Sequence, residues 1–469
     1  MTNSAMSLSP DFISELKRRF RGDVLTDSAN RILYSTDASI YQMVPLGVVV
    51  PQTQDDLICA VELAAKYRIP ILPRGGGSSL AGQAIGPALV LDTSRCLNRI
   101  VEINPEAQTA TVEPGVVLAR LNAAAARHGL QYGPDPASAE RATMGGVIAN
   151  NATGAHSILY GMSADHIVSA EVILSDGSLA NFAEIGPGAE RRTKSEVEAR
   201  ILETIHTIRQ SHANEIRARW PKTWRNSAGY RLNYLLPWSP AIPPQWGDAP
   251  YPPISNPQSS ITFNLAPLLA GSEGTLAVIR SATVRLVRKP AYTILGVLAY
   301  DSIAAACDDV PRLLALQPSA VELIPQMLIR LARAVPAYAA QLAWVRGDPS
   351  ALLVVEFSGE TGEELRERAQ ALGAEVVIAE SREEQARVWN VRKVGLGILD
   401  SGPGSKRPVA FIEDCAIPVE NLGTFVRELD KILAVHGTIG AYYAHASAGT
   451  LHVRPLLDLR TGDGIRSLR

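Results

Sequence analysis

The chain has 469 residues, too many for one ordinary hydrophobic core, so two or three domains are expected. Hydrophobic residues make up 46%, charged residues 20% and the formal net charge is -2, a globular composition with no basic stripe for nucleic acid or an anionic membrane surface. Four scattered cysteines (Cys59, Cys96, Cys307, Cys415) form no C-x-x-C pair, which excludes a self-contained zinc or iron–sulfur motif and argues against a disulfide framework.

In chain order, the N-terminus lacks the basic-then-apolar profile of a signal peptide. No apolar run approaches about 18 residues, so no membrane span is read and a reducing cytoplasm is the expected compartment. A helix is predicted where Ser9 caps, Pro10 opens and Phe12, Leu16 and Phe20 share a face before Gly22. A strand at 47–50, a helix at 55–67 and a strand at 69–72 form a β-α-β unit that runs into "PRGGGSSLAG", Pro73 to Gly82. Strand signals follow at 88–91, 99–103 and 109–112, then a helix at 115–128 and a strand at 168–174 with Ser175-Asp176-Gly177 as its turn. The irregular mixture favours α+β. Between Pro237 and Pro257, eight prolines and two tryptophans in 21 residues mark an irregular insertion. Past Lys289-Pro290 the texture changes to Ala/Leu helices and strands such as 352–357, so a boundary is placed near residue 290.

The glycine run of Pro73–Gly82 lets backbone approach a ligand and aim successive N–H groups at it, although a plain turn has the same composition. It is neither a P-loop, since no lysine follows, nor a dinucleotide fingerprint, since Leu80 stands at the third glycine. Two more segments combine close-approach glycines with apolar residues. One runs from Tyr132 to Gly161 and contains Thr143-Met144-Gly145-Gly146 and Asn150-Asn151; the other is "AGSEGTLAVI", Ala270 to Ile279.

Together these segments resemble the FAD-binding domain of the vanillyl-alcohol oxidase / p-cresol methylhydroxylase flavoproteins. The resemblance implies an α+β architecture: an N-terminal helical segment (1–39), a two-lobed FAD-binding domain (40–289) and an α+β cap domain of antiparallel sheet and helices (290–469). It implies that Arg74, Gly75, Gly76, Gly77, Ser78 and Ser79 hold the FAD pyrophosphate. Pro134, Thr143, Gly145, Gly146 and Gly154 would complete the clasp, with Glu273, Gly274 and Ile279 along the adenosine or ring. Some members attach FAD through a histidine; for His156 nothing specific points that way, and a hydrogen-bonding or packing role is expected.

Near the C-terminus, "AHASAGTLHVRP" places His445 and His452 seven apart, on opposite faces of a continuous strand. The intervening residues must turn for both imidazoles to converge, and two histidines are not a complete metal site. The segment resembles the His-x-Gly-Asp-Gly-Asn-x-His motif of D-lactate and D-2-hydroxyglutarate dehydrogenases of the glycolate-oxidase-subunit type. Here Ser447, Ala448 and Thr450 replace its Gly, Asp and Asn. The resemblance implies that His445 and His452 bind a divalent metal (zinc or manganese) touching the substrate. The glutamate segment that adds a third ligand in relatives is absent. In "VWNVRKVG", Arg392 matches the arginine that grips the substrate carboxylate, a task suited to a guanidinium fork. "FIEDCAIPVENL" resembles a cap-domain strand, with Ile412 where some relatives have lysine and Lys406 nearby.

"NNATGAHSILYGMSADH" and "RNSAGYRLNYLLP" resemble the long bacterial FAD-linked oxidases that continue into an iron–sulfur domain. The implied function is oxidation of a D-2-hydroxy acid (D-lactate or D-2-hydroxyglutarate class) by hydride transfer to flavin, with electrons passing to an acceptor or iron–sulfur domain or subunit. The alternative is a catalytically incomplete flavin-binding fragment or subunit that needs an iron–sulfur partner. An NADPH-dependent flavin reductase of the enolpyruvyl-sugar type shares the FAD fold, but the Trp-x-x-Arg and His-x6-His pieces argue against it.

Overall fold

The computed structural model describes residues 7–186, 193–236, 262–400 and 404–469, leaving the proline-rich stretch 237–257 outside the described residues. Ser9 caps the first helix, Pro10–Arg19, by accepting from the Phe12 N–H, as its sequence predicts. Phe12, Leu16 and Phe20 pack in one core with Leu57, Val61, Leu89 and Leu91. That core backs a four-stranded sheet in the order Asp23–Leu25, Gly47–Val50, Leu89–Asp92, Ile71–Arg74. The β-α-β unit is present, with Gln54–Tyr67 held by a Thr53/Asp56 capping box, but Leu89–Asp92 inserts between its two strands and pairs parallel with both. Nothing local marks that insertion, because parallel pairing is decided by the crossover.

A second sheet orders Ile100–Asn104, Thr109–Val112, Val278–Arg285, Ile167–Ile173 and Leu179–Phe182. Its central partner, Val278–Arg285, arrives from more than a hundred residues downstream and carries the third glycine segment to the first two.

Tyr292–Tyr300 opens an eight-stranded sheet whose pairings are antiparallel. One face packs on Ile303–Leu314 and Leu422–Val435, the other on Gln326–Arg333 and Arg382–Asp400. The architecture is thus α+β, and the uninterrupted burial of Ala320–Pro325 follows from cover on both faces.

Candidate active site

The three glycine segments line one cleft. Arg74, Gly75, Gly76, Gly77, Ser78, Ser79, Thr143, Gly145, Gly146, Glu273, Gly274 and Ile279 all face it; Pro134 and Gly154 lie outside its lining. The glycines let three pieces of backbone touch. A methyl on Gly75 would lie 2.0 Å from Thr143 Oγ1, and one on Gly76 would lie 2.3 Å from the Arg141 carbonyl oxygen. Asn150 Nδ2 donates to Ser79 Oγ at 3.0 Å, tying the first segment to the second. Gln83, which sequence reasoning passed over, donates to Glu273 Oε1 at 3.4 Å and ties the first to the third.

Arg74 acts as the staple of its loop. Its guanidinium donates to the carbonyls of Tyr34, Ala84 and Thr36 at 3.2, 2.9 and 2.8 Å, so three of its donors go to backbone. Thr143 stands at the helix N-cap without capping through its side chain, and its buried Oγ1 has no partner. A slot walled by glycine backbone, with an orphaned hydroxyl inside, fits the pyrophosphate of an elongated anionic cofactor such as FAD.

The two histidines converge elsewhere. Gly440–His445 and Thr450–Leu457 form a hairpin through a 3-10 turn at Ala446–Ala448, with Gly449 at φ 67. A methyl on Gly449 would meet the Ile417 carbonyl oxygen at 2.0 Å, so the turn needs glycine twice over. The turn returns both rings to one side, with centroids 5.3 Å apart. Tyr443, paired across the strands with His452, stacks on it at 4.7 Å.

Each Nδ1 meets a carboxylate: His445 donates to buried Glu322 Oε1 and His452 to half-buried Glu413 Oε2, both at 2.7 Å. This assigns the proton to Nδ1 and leaves an Nε2 lone pair on both rings. Burial, then the charges of Arg225 and Arg392, push the His445 pKa well below the ordinary imidazole value and keep it neutral. Burial raises the Glu322 pKa despite Arg392. Burial also works to raise that of Glu413, but the His452 hydrogen bond and Arg454 hold it below the ordinary value.

Arg392, on the helix Arg382–Asp400, donates through Nε and approaches through Nη2 to Glu322 Oε2, each at 3.1 Å, and lies over the Tyr443 ring. Glu322, Glu413 and Arg225 were missed from sequence as site residues. The readable signal was a lone acid inside the fully buried strand AVELIP. Imidazoles oriented by carboxylates with free Nε2 fit a divalent ion as two of its ligands. Among the described residues, no group of three or more His, Cys, Asp or Glu is placed to hold one.

His156 joins the two halves. Its Nδ1 meets Asp135 Oδ2 at 2.6 Å, and its Nε2 meets Glu356 Oε1, on the eight-stranded sheet, at 2.8 Å. Burial opposes its charge, but Glu356 and Asp135 more than offset this and hold its pKa well above the ordinary value. Gly154 serves the same corner: a methyl there would lie 2.1 Å from the Asp135 carbonyl oxygen.

Residues 45–183 match the family described as FAD binding domain, and 289–468 match FAD linked oxidases, C-terminal domain. The chain thus carries both a FAD binding domain and the C-terminal domain of FAD linked oxidases. It is 32% identical to D-2-hydroxyglutarate dehydrogenase of Escherichia coli (strain K12), over 96% of this chain and 44% of that protein. It is 27% identical to glycolate oxidase subunit GlcD of Bacillus subtilis (strain 168), covering 93% and 78% of the two chains. The chain therefore spans less than half the length of the D-2-hydroxyglutarate dehydrogenases it matches. Its fold is that of p-cresol methylhydroxylase with substrate bound, at TM-score 0.62 and 14% identity, covering 98% and 86% of the chains. No helix among the described residues is long and apolar enough to cross a membrane.

Proposed function

We propose that this chain is the flavin-binding, substrate-oxidising unit of an FAD-dependent oxidoreductase acting on a D-2-hydroxy acid of the D-lactate or D-2-hydroxyglutarate class. The observation that carries the reading is the pair His445 and His452, each oriented by its own carboxylate, beside Arg392 and in a chain that also holds the glycine clasp. FAD, when bound, supplies the two-electron acceptor. Gly75, Gly76, Gly77, Ser78, Ser79, Thr143, Gly145 and Gly146 hold its pyrophosphate, with Arg74 fixing the loop. Glu273, Gly274 and Ile279 flank the remainder, while Pro134 and Gly154 lie outside the cleft lining.

Arg392 orients the substrate carboxylate with a fork that Glu322 keeps in place. His445 stays neutral and presents Nε2 toward the reacting hydroxyl, while Tyr443 and Glu413 hold the ring of His452. A zinc or manganese ion held by these two Nε2 atoms would add Lewis acidity at the hydroxyl. The chain's cysteines are free and far apart, so the electrons leave to an acceptor or an iron–sulfur unit beyond them.

A second reading is favoured by the lack, among the described residues, of a third metal ligand beside the histidines: a flavin-binding unit that needs an iron–sulfur partner to turn over. The test is anaerobic titration of the FAD-reconstituted protein with D-2-hydroxyglutarate and with D-lactate. Bleaching of the flavin absorbance by either supports the first reading. Bound flavin that neither bleaches overturns it and leaves the second.

A further inference from the structure

Three arginines approach the histidine pair, and two already have carboxylates. Arg392 is paired with Glu322, and Arg454 Nε donates to Glu413 Oε1 at 2.9 Å. Arg225 is different. It is 5% exposed, yet no carboxylate among the described residues lies within ion-pair distance. Its Nη1 donates to two neutral oxygens, Gly154 O at 3.0 Å and Ser157 Oγ at 2.9 Å. Among the described residues Nε and Nη2 have no partner, and neither is sealed from solvent as Arg454 Nη2 is. A buried guanidinium without an anion is costly to maintain, and such a group points to an anion that arrives from outside.

Its position agrees. The helix Ser157–Tyr160, to which Arg225 is bonded, packs on Ala320–Pro325 and on the turn Ala446–Ala448 next to His445. Arg225 reaches the site from the FAD-binding part of the chain, whereas Arg392 comes from the eight-stranded part. Its field acts on both His445 and Glu322. The loop that carries it is stiff: Arg231 donates to the carbonyls of Asn226 and Ala228, and Tyr230 Oη bonds Thr275 Oγ1 at 2.9 Å. A donor held this way is set in advance for its ligand.

We propose that Arg225 is a second carboxylate-binding guanidinium of the active site, and that with Arg392 it selects 2-hydroxy dicarboxylic acids over monocarboxylic ones. The inference rests on the D-2-hydroxy acid reading above. Arg392 takes the carboxylate next to the reacting carbon, and the free Nε and Nη2 of Arg225 take the distal one as a charge-assisted fork.

The test is R225Q and R225K, each compared with wild type at matched flavin content. Glutarate and butyrate, which lack the reacting hydroxyl, are titrated into the FAD-loaded protein by flavin difference spectrum and thermal shift. Steady-state kinetics use D-2-hydroxyglutarate and D-lactate. In R225Q the glutarate Kd and the KM for D-2-hydroxyglutarate should both rise roughly 30-fold. Butyrate binding and the KM for D-lactate should weaken several-fold less than their dicarboxylate counterparts. R225K keeps the charge but loses the fork, and roughly a tenfold rise is expected, which serves if R225Q fails to fold. Unchanged glutarate affinity in R225Q, or equal weakening for butyrate, overturns the role of Arg225. A wild-type flavin that no hydroxy acid reduces overturns the activity instead, while the glutarate arm still decides on Arg225.

Discussion

Gly146 stands third in the helix Met144–Ala149, and a methyl on it would meet only Thr143 Oγ1, at 3.8 Å. That is ordinary van der Waals contact, so the space beside it is the cleft itself. Gly146→Ala therefore acts with opposite sign on fold and cofactor. Without FAD, replacing a helical glycine by alanine stabilises by up to about 1 kcal/mol through lower unfolded-state entropy. With FAD, the methyl occupies the clasp where the pyrophosphate must approach, an overpacking cost of about 1–3 kcal/mol. The FAD Kd should then rise roughly 5- to 150-fold. Apoprotein stability by urea denaturation and FAD affinity by fluorescence titration measure the two effects separately. Gly76→Ala is the contrast, since its methyl meets the Arg141 carbonyl in a segment pinned by Leu118 N–H to Ala142 O at 3.0 Å. It should lower both quantities. A Gly146→Ala protein with wild-type FAD affinity would refute the placement of the clasp.

His156→Gln should cost about 3 kcal/mol at or below pH 6.5, because it leaves Glu356 buried without its cation. The His156 pKa is raised on folding, so its contribution is complete below the ordinary imidazole value and is lost as pH rises through the raised one. Denaturation curves whose wild-type–variant gap does not shrink at high pH would contradict this. His166 behaves in the opposite sense: burial pushes its pKa down to about 4, so its contribution is complete above 6.5 and is lost as pH falls toward 4. His166→Gln keeps an N–H for the Tyr160 carbonyl, which His166 Nε2 meets at 2.7 Å, and should make the acid limb of the Tm–pH curve shallower. An identical acid limb would count against it.

Much of the glycine-lined cleft was legible in the sequence, because close backbone approach needs the absence of Cβ atoms. Gly75, Gly76 and Gly145 are local facts, and the contacts that forbid a methyl at each explain them afterwards. The hairpin at His445–His452 was legible as a requirement, since residues seven apart on one strand cannot share a face, and Gly449 supplies the turn. Arg74 lines the cleft as well as bracing its loop. An arginine before a glycine run suggests a phosphate ligand, but backbone carbonyls of Tyr34, Thr36 and Ala84 take its donors.

By itself the sequence determined where backbone can come close, where strands and helices begin, and which residue types could carry redox chemistry. These follow from side-chain size, periodicity and capping, all set within a few residues. Only the tertiary structure decided which charges meet. Glu322 lies 123 residues before His445, and Ser157 lies 68 before Arg225. Long-range strand pairing made Glu322 a partner of His445, and folding set buried Arg225 against the neutral oxygens of Gly154 and Ser157. Ion pairing depends on distance through space and on desolvation, and neither has a period along the chain.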